Sequence, residues 1–196
     1  MKIFTTNKLI EAIEKNDRLR IDKFLFFLKK LEKGDTITIK DGLTPLQFAC
    51  MSRRLEAADC LIKQGKVDID GVGAIGASPL HLVCELGYTE FIPLLLDNGA
   101  NKEALNRNRK TALYTACSNG VVDAVQVLLQ NNAPITSDVR DWVNNSEENL
   151  NKITKTEQSL IKNRKHLNIP DISKDLSALA TRKDNIKKIE QLILKK

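Results

Sequence analysis

Residues Ser78 to Asn101 read "SPLHLVCELGYTEFIPLLLDNGAN". A hydroxyl residue, a proline and an apolar residue open the stretch. A histidine, a glycine, an apolar triplet and a turn follow at intervals that suit two short helices. Ser78 fits a helix N-cap, where a side-chain oxygen satisfies backbone N–H groups left over at the helix start. Pro79 fits the next position, where no N–H is needed. Leu80, Val83 and Cys84 then fall on one face of a helix, and Gly87 fits its end. Pro93 falls in the first turn of a second helix, where a missing donor is tolerated.

The stretch recurs. Thr44 begins "TPLQFACMSRRLEAADCLIKQG" and Thr111 begins "TALYTACSNGVVDAVQVLLQNNA". The three starts are 34 and 33 residues apart, and a fixed period near 33 is the signature of a stacked array. A single helix pair of this size cannot bury its own apolar faces, so neighbouring units complete the core. The units resemble ankyrin repeats, with T-P-L-H-x-A, a glycine, an apolar triplet and G-A, over residues 41–135. The resemblance implies an all-α solenoid of stacked helix-turn-helix units joined by short hairpin loops.

Residues 1–38 read as an N-terminal capping helix pair. Leu9, Ile10, Ala12 and Ile13 form one apolar stripe, and Phe24, Phe27, Leu28 and Leu31 form the other. Residues 39–135 hold the three recognisable repeats. Residues 136–170 lack the cap pattern, and Leu150, Ile153, Leu160, Ile161 and Leu167 predict a longer amphipathic helix there. Residues 171–196 read as a degenerate C-terminal capping repeat. Its start, Asp175, lies 64 residues after Thr111, so one repeat-sized segment is expected between them.

Composition narrows the function. The 196 residues carry a formal net charge of +6. Residues 1–40 have ten basic and six acidic residues, 41–135 eight and ten, and 136–196 thirteen and nine. The repeats are thus near neutral between basic ends, whereas a dedicated nucleic-acid reader concentrates charge on its working face. "NRNRK" at 106–110 and "KNRKH" at 162–166 read as solvated surface, with anion binding as the alternative. The apolar runs are too short to span a bilayer, and "MKIFTTNKLIEAIEKND" turns polar before a signal-peptide core forms. A cytoplasmic protein is expected. The Lys-, Asn- and Ile-rich composition matches an AT-rich genome, which makes delivery into a host cell cytosol the second setting.

Three chemical signals resolve into structural ones. "GVGAIG" at 71–76 satisfies G-x-G-x-x-G, yet half-charged "KVDID" precedes it rather than an apolar strand, and Gly76 matches Gly42. His81 has no recurring partner; Gln47 and Tyr114 fill its place in the neighbouring units. Cys50, Cys84 and Cys117 share one repeat position, and with Cys60 they form no C-x-x-C pair or zinc spacing. No catalytic residue, metal ligand or cofactor is expected.

The ankyrin resemblance implies a protein partner bound along a concave side made of hairpin tips and first-helix ends. By register this selects Leu43, Met51 and Ser52 in the first unit. It selects Ile75, Ala77, Glu85 and Leu86 in the second. It selects Arg107, Asn108, Lys110, Ser118 and Asn119 in the third. Leu43, Ile75 and Leu86 are the expected apolar anchors. Arg107 and Lys110 would steer an acidic patch on the partner, and the chain would act as a monomer. Arg53 and Arg54 stand where the resemblance implies a glycine, so a different helix end is expected there.

Overall fold

In a computed structural model, residues 2–28, 38–64, 67–167 and 173–196 are described. They form helices and connecting turns, with no strand among them. The fold is the expected all-α solenoid. Helix pairs follow one another as α1 (Lys2–Glu14) with α2 (Arg18–Leu28), α3 (Pro45–Met51) with α4 (Leu55–Lys63), α5 (Pro79–Leu86) with α6 (Phe91–Asp97), and α7 (Ala112–Asn119) with α8 (Val122–Gln130). The side chains of Phe24, Phe27 and Leu28, and all of Leu31, lie outside the described part.

The first helix of each pair stacks on the next: α1 on α3, α3 on α5, α5 on α7. Leu46, Ala49 and Cys50 recur as Leu80, Val83 and Cys84 and as Leu113, Ala116 and Cys117, all fully buried between units. A helix of seven or eight residues is marginal in water by itself, so this stacking holds it. All four cysteines are free and buried. Burial pushes the Cys50 and Cys117 thiols up to about 12, so they pack as neutral apolar groups.

Each first helix ends on a left-handed residue: Asn16 (φ 52°), Arg53 (φ 53°), Gly87 (φ 73°) and Gly120 (φ 72°). Arg53 therefore does not change the helix end. Its neighbour's amide bonds Ala49 O at 2.9 Å, as Tyr88 N bonds Val83 O and Val121 N bonds Ala116 O. The Arg53 guanidinium also reaches Glu90 Oε1 at 2.7 Å and lies 4.7 Å over the Tyr88 ring.

The C-terminal part departs from expectation in two ways. First, Thr136 caps a fourth first helix, α9 (Ser137–Asn144), only 25 residues after Thr111. The chain runs from Ala133 to Thr136 directly, whereas Ala100 and Thr111 are separated by a hairpin. Helix α9 stacks on α7 and buries Val139, Trp142 and Val143 at the usual spacing. The period breaks because the hairpin is absent. Asn145 (φ −96°) supplies no left-handed stop, and α10 (Ser146–Leu167) begins at once.

Second, the last element is the single helix α11 (Ser173–Leu194) rather than a helix pair. It folds back along α10 and packs on α8, where Asn185 Nδ2 donates to Gly120 O at 2.9 Å. Ile186, Ile189 and Ile193 are its buried stripe, while Ala180 is exposed. The break expected at Pro170 lies outside the described residues.

Hairpin tips stitch to one another in a row. Ala74 N donates to Gly42 O at 2.9 Å, and Arg107 N donates to Gly76 O at 2.6 Å. Gly42 and Gly76 are both left-handed (φ 73°) and pressed against the next tip. A Cβ on Gly42 would stand 2.5 Å from Ala74 Cβ, and one on Gly76 2.7 Å from Arg107 Nε. Arg109 (φ 57°) holds the same place in the third hairpin, where no fourth hairpin follows. A side chain is tolerated there, and Arg109 is exposed.

Left-handed backbone costs a non-glycine residue about 1–2 kcal/mol. Gly42→Ala is therefore expected to destabilise by at least about 1–2 kcal/mol, strain and clash together. Arg109→Gly is expected to be neutral or to stabilise by up to about 1 kcal/mol. Urea denaturation of the two variants beside wild type measures both; equal losses would overturn the account of the row.

Candidate interaction surface

The first and second repeats reach the next unit through the third residue after the cap residue. In the first unit Gln47 is fully buried and closes a capping box: its backbone N–H donates to Thr44 Oγ1 at 3.2 Å, and Thr44 N donates to Gln47 Oε1 at 2.7 Å. Its Nε2 then donates to Ala77 O at 2.7 Å, just before the next cap. His81 does the same by other chemistry. Its Nε2 meets Lys110 O at 2.9 Å, and its Nδ1 meets Ser78 Oγ at 2.8 Å. A carbonyl only accepts, so Nε2 carries the proton and Nδ1 accepts from the hydroxyl. Ser78 thus spends its hydroxyl on His81 and not on the helix backbone.

Tyr114 is third in line. Thr111 Oγ1 accepts from its backbone N–H at 3.2 Å. Its side chain makes no onward hydrogen bond among the described residues, and instead lies under Lys110 Nζ, 4.3 Å from the ring centroid.

The same placement corrects part of the expected surface. Leu43, Ala77 and Lys110 sit just before the caps, and Ala77 and Lys110 present to the ladder the carbonyls described above. Leu43 is a core residue at 6% exposure and Ala77 is buried. Leu43 and Phe48 occupy the positions of a hydrophobic staple, and both lie in the core. Leu43 is therefore no exposed anchor. Lys110 is half-buried. Arg107 is exposed, but its Nη2 donates to Ala74 O and holds the tip row. The two expected steering charges are thus engaged inside the chain.

The remaining expected residues lie at the surface. Met51 (41%), Ile75 (36%) and Leu86 (43%) are exposed, as are Glu85, Asn108 and Asn119. Ser52 and Ser118 are half-buried. Ser118 Oγ and Asn119 Nδ2 both donate to Thr115 O, at 3.1 and 2.9 Å, finishing the end of α7. Asn106 Oδ1 accepts from Asn108 N and Lys110 N, so "NRNRK" is a braced hairpin. The side chains of "KNRKH" lie outside the described part. "GVGAIG" forms the second hairpin.

Two exposed apolar residues escaped the register reading, Val72 (44%) and Leu105 (50%). They are 33 residues apart on successive hairpins. Extending the self-alignment six residues ahead of the caps reveals the pair.

Comparison with known proteins agrees with this architecture. The family model for ankyrin repeats (3 copies) matches residues 9–106 and 72–141. The human B-cell lymphoma 3 protein is 32% identical over 103 residues, covering 51% of this chain and 23% of its own length. Mouse ankyrin repeat domain-containing protein 13B is 32% identical over 90 residues, 46% of this chain and 14% of its own. The putative E3 ubiquitin-protein ligase XBAT34 of Arabidopsis thaliana is 32% identical over 113 residues, 57% of this chain and 30% of its own. The chain spans less than a third of each of these relatives.

Burial holds the His81 pKa below its ordinary value, against a smaller opposing pull from the Lys110 carbonyl. The unfolded chain then binds the proton more readily, so the stability contribution is full above about pH 6.5 and is lost as pH falls below it. Thermal melts at about pH 7.5 and about pH 5.5 are expected to show a larger drop for wild type than for His81→Gln. Gln47 shows that glutamine makes both bonds without titrating. Identical pH slopes for the two proteins would sink this role for the ring.

Proposed function

The chain belongs to the ankyrin-repeat family, and on that premise we propose that it is a non-enzymatic module that binds a protein partner on its concave face, as an adaptor, scaffold or inhibitor. Ankyrin repeats are general protein-interaction modules. The finer reading is supported by one observation above all: Met51 and Leu86, at the ends of successive first helices, are large apolar side chains left exposed on a rigid stack. Ile75 adds a third on the second hairpin, and Glu85 at the end of α5 is exposed as well. Such a surface binds without first ordering itself, which lowers the entropic cost of association.

The buried thiols speak against nucleophilic chemistry, because the nucleophile is the thiolate and burial suppresses it. Four free cysteines fit a reducing compartment, which is the support for a cytoplasmic setting. Action in a host cell cytosol is the second setting, and it rests on composition. No helix among the described residues is long and apolar enough to cross a membrane.

The test replaces two residues that the core does not use. A Met51→Glu, Leu86→Glu double variant is expected to keep the wild-type circular dichroism and to lose its partner in capture from nuclease-treated lysate, read by mass spectrometry. A loss of at least about tenfold is expected for apolar contacts central to an interface. Capture equal to wild type would remove the concave face from the mechanism. Capture that vanished with salt but not with these substitutions would favour the basic ends and an anionic surface.

A further inference from the structure

The missing fourth hairpin leaves a gap. A cavity of about 290 Å³ opens beside the third hairpin, between α7 and the start of α10. Tyr114 and Trp142 supply its aromatic walls, and Asp138 and Asp141 project from α9. Lys110 and Lys152 also line it, but both are engaged. Lys110 Nζ lies over the Tyr114 ring, and Lys152 Nζ pairs with Glu148 Oε1 at 2.9 Å.

The two aspartates are not so matched. Asp138 Oδ1 accepts from Thr136 Oγ1 and from Val139 N, while its Oδ2 is buried with no hydrogen-bond partner. Asp141 is exposed, and among the described residues neither aspartate has an ion-pair partner. Asp138 and the exposed Asp141 stand beside Trp142 and a Tyr114 ring that already carries the Lys110 ammonium on one face, and negative charge next to aromatic surface suits a further cation.

Backbone geometry adds to this. In the tip row each hairpin's glycine carbonyl receives an N–H from the next hairpin. The row ends at Arg109, whose carbonyl no backbone N–H reaches among the described residues. Tyr114 likewise ends the ladder that Gln47 and His81 carry. An extended segment brings N–H donors to such an edge and sends alternate side chains toward the protein.

We propose that the gap beside the third hairpin, where Tyr114 and Trp142 stand with Asp138 and Asp141, receives a lysine or arginine side chain carried on an extended segment of the protein partner. This rests on the binding-module reading and gives the partner a chemistry: basic here, apolar where it meets Met51 and Leu86. It replaces the acidic partner expected from Arg107 and Lys110.

Trp142 is the chain's single tryptophan, so its emission reports on this gap. The probes are the peptides acetyl-Gly-Ser-Arg-Ser-Gly-amide, its lysine counterpart, and the citrulline and glutamate counterparts. They are titrated into the full chain to millimolar concentration. The arginine and lysine peptides are expected to change the emission saturably, and the neutral and acidic ones not. Asp141→Asn, with circular dichroism unchanged, is expected to weaken the basic peptides at least about tenfold. The Met51→Glu, Leu86→Glu variant is expected to respond like wild type, which separates this site from the apolar face.

No saturable response to either basic peptide overturns the proposal, even if lysate capture by the concave face succeeds. A response that Asp141→Asn leaves intact also overturns it, as does stronger binding of the glutamate peptide. Emission that shifts with protein concentration alone assigns the gap to a second copy of the chain and overturns it too.

Discussion

A hydrogen bond from a first helix to the carbonyl that precedes the next cap ties the first and second repeats each to the unit that follows. An unpaired polar group in that interior would cost several kcal/mol in the worst case, and the residue three places after the first two of these caps both accepts locally and donates onward. Glutamine does this at 47 with its two amide ends, and histidine does it at 81 with its two ring nitrogens. Different chemistry meets the same demand. Tyrosine at 114 carries its only polar atom beyond the ring and cannot do both. The array changes character at that point: the hairpin disappears, and the fourth first helix arrives eight residues early relative to a period of 33.

Most of the repeat fold was legible because its determinants are local. Cap hydroxyls, prolines after two of the caps, and apolar residues at helical spacing recur with a period that identifies units without any knowledge of packing. What failed had non-local causes. The fourth unit hid because self-alignment assumes a constant period, and a deletion in one loop defeats it although Val139, Trp142 and Val143 keep the helical pattern. Helix α11 hid because Ile186, Ile189 and Ile193 sit among charged residues without a cap or glycine stop to frame them. At the surface, Leu43 was misplaced because a residue before a cap can face either way, and only the staple geometry decides.

Arg53 carries a related lesson about glycine. Its left-handed backbone is imposed by the bonds that close the helix, and the side chain follows. The strain is offset in part by contacts that a glycine could not make, to Glu90 and Tyr88 in the next unit, although an ion pair this exposed contributes little. Where the backbone must also touch its neighbour, as at Gly42 and Gly76, that exchange is closed to any side chain.

The three thiols at one register position have a use unrelated to binding. Cys50, Cys84 and Cys117 lie in consecutive units, each sealed by the helices on either side. A reagent in solution can modify each one only while its own unit is open. The chain therefore carries a built-in row of evenly spaced clocks. Their relative rates distinguish an array that frays inward from its ends from one that opens all at once.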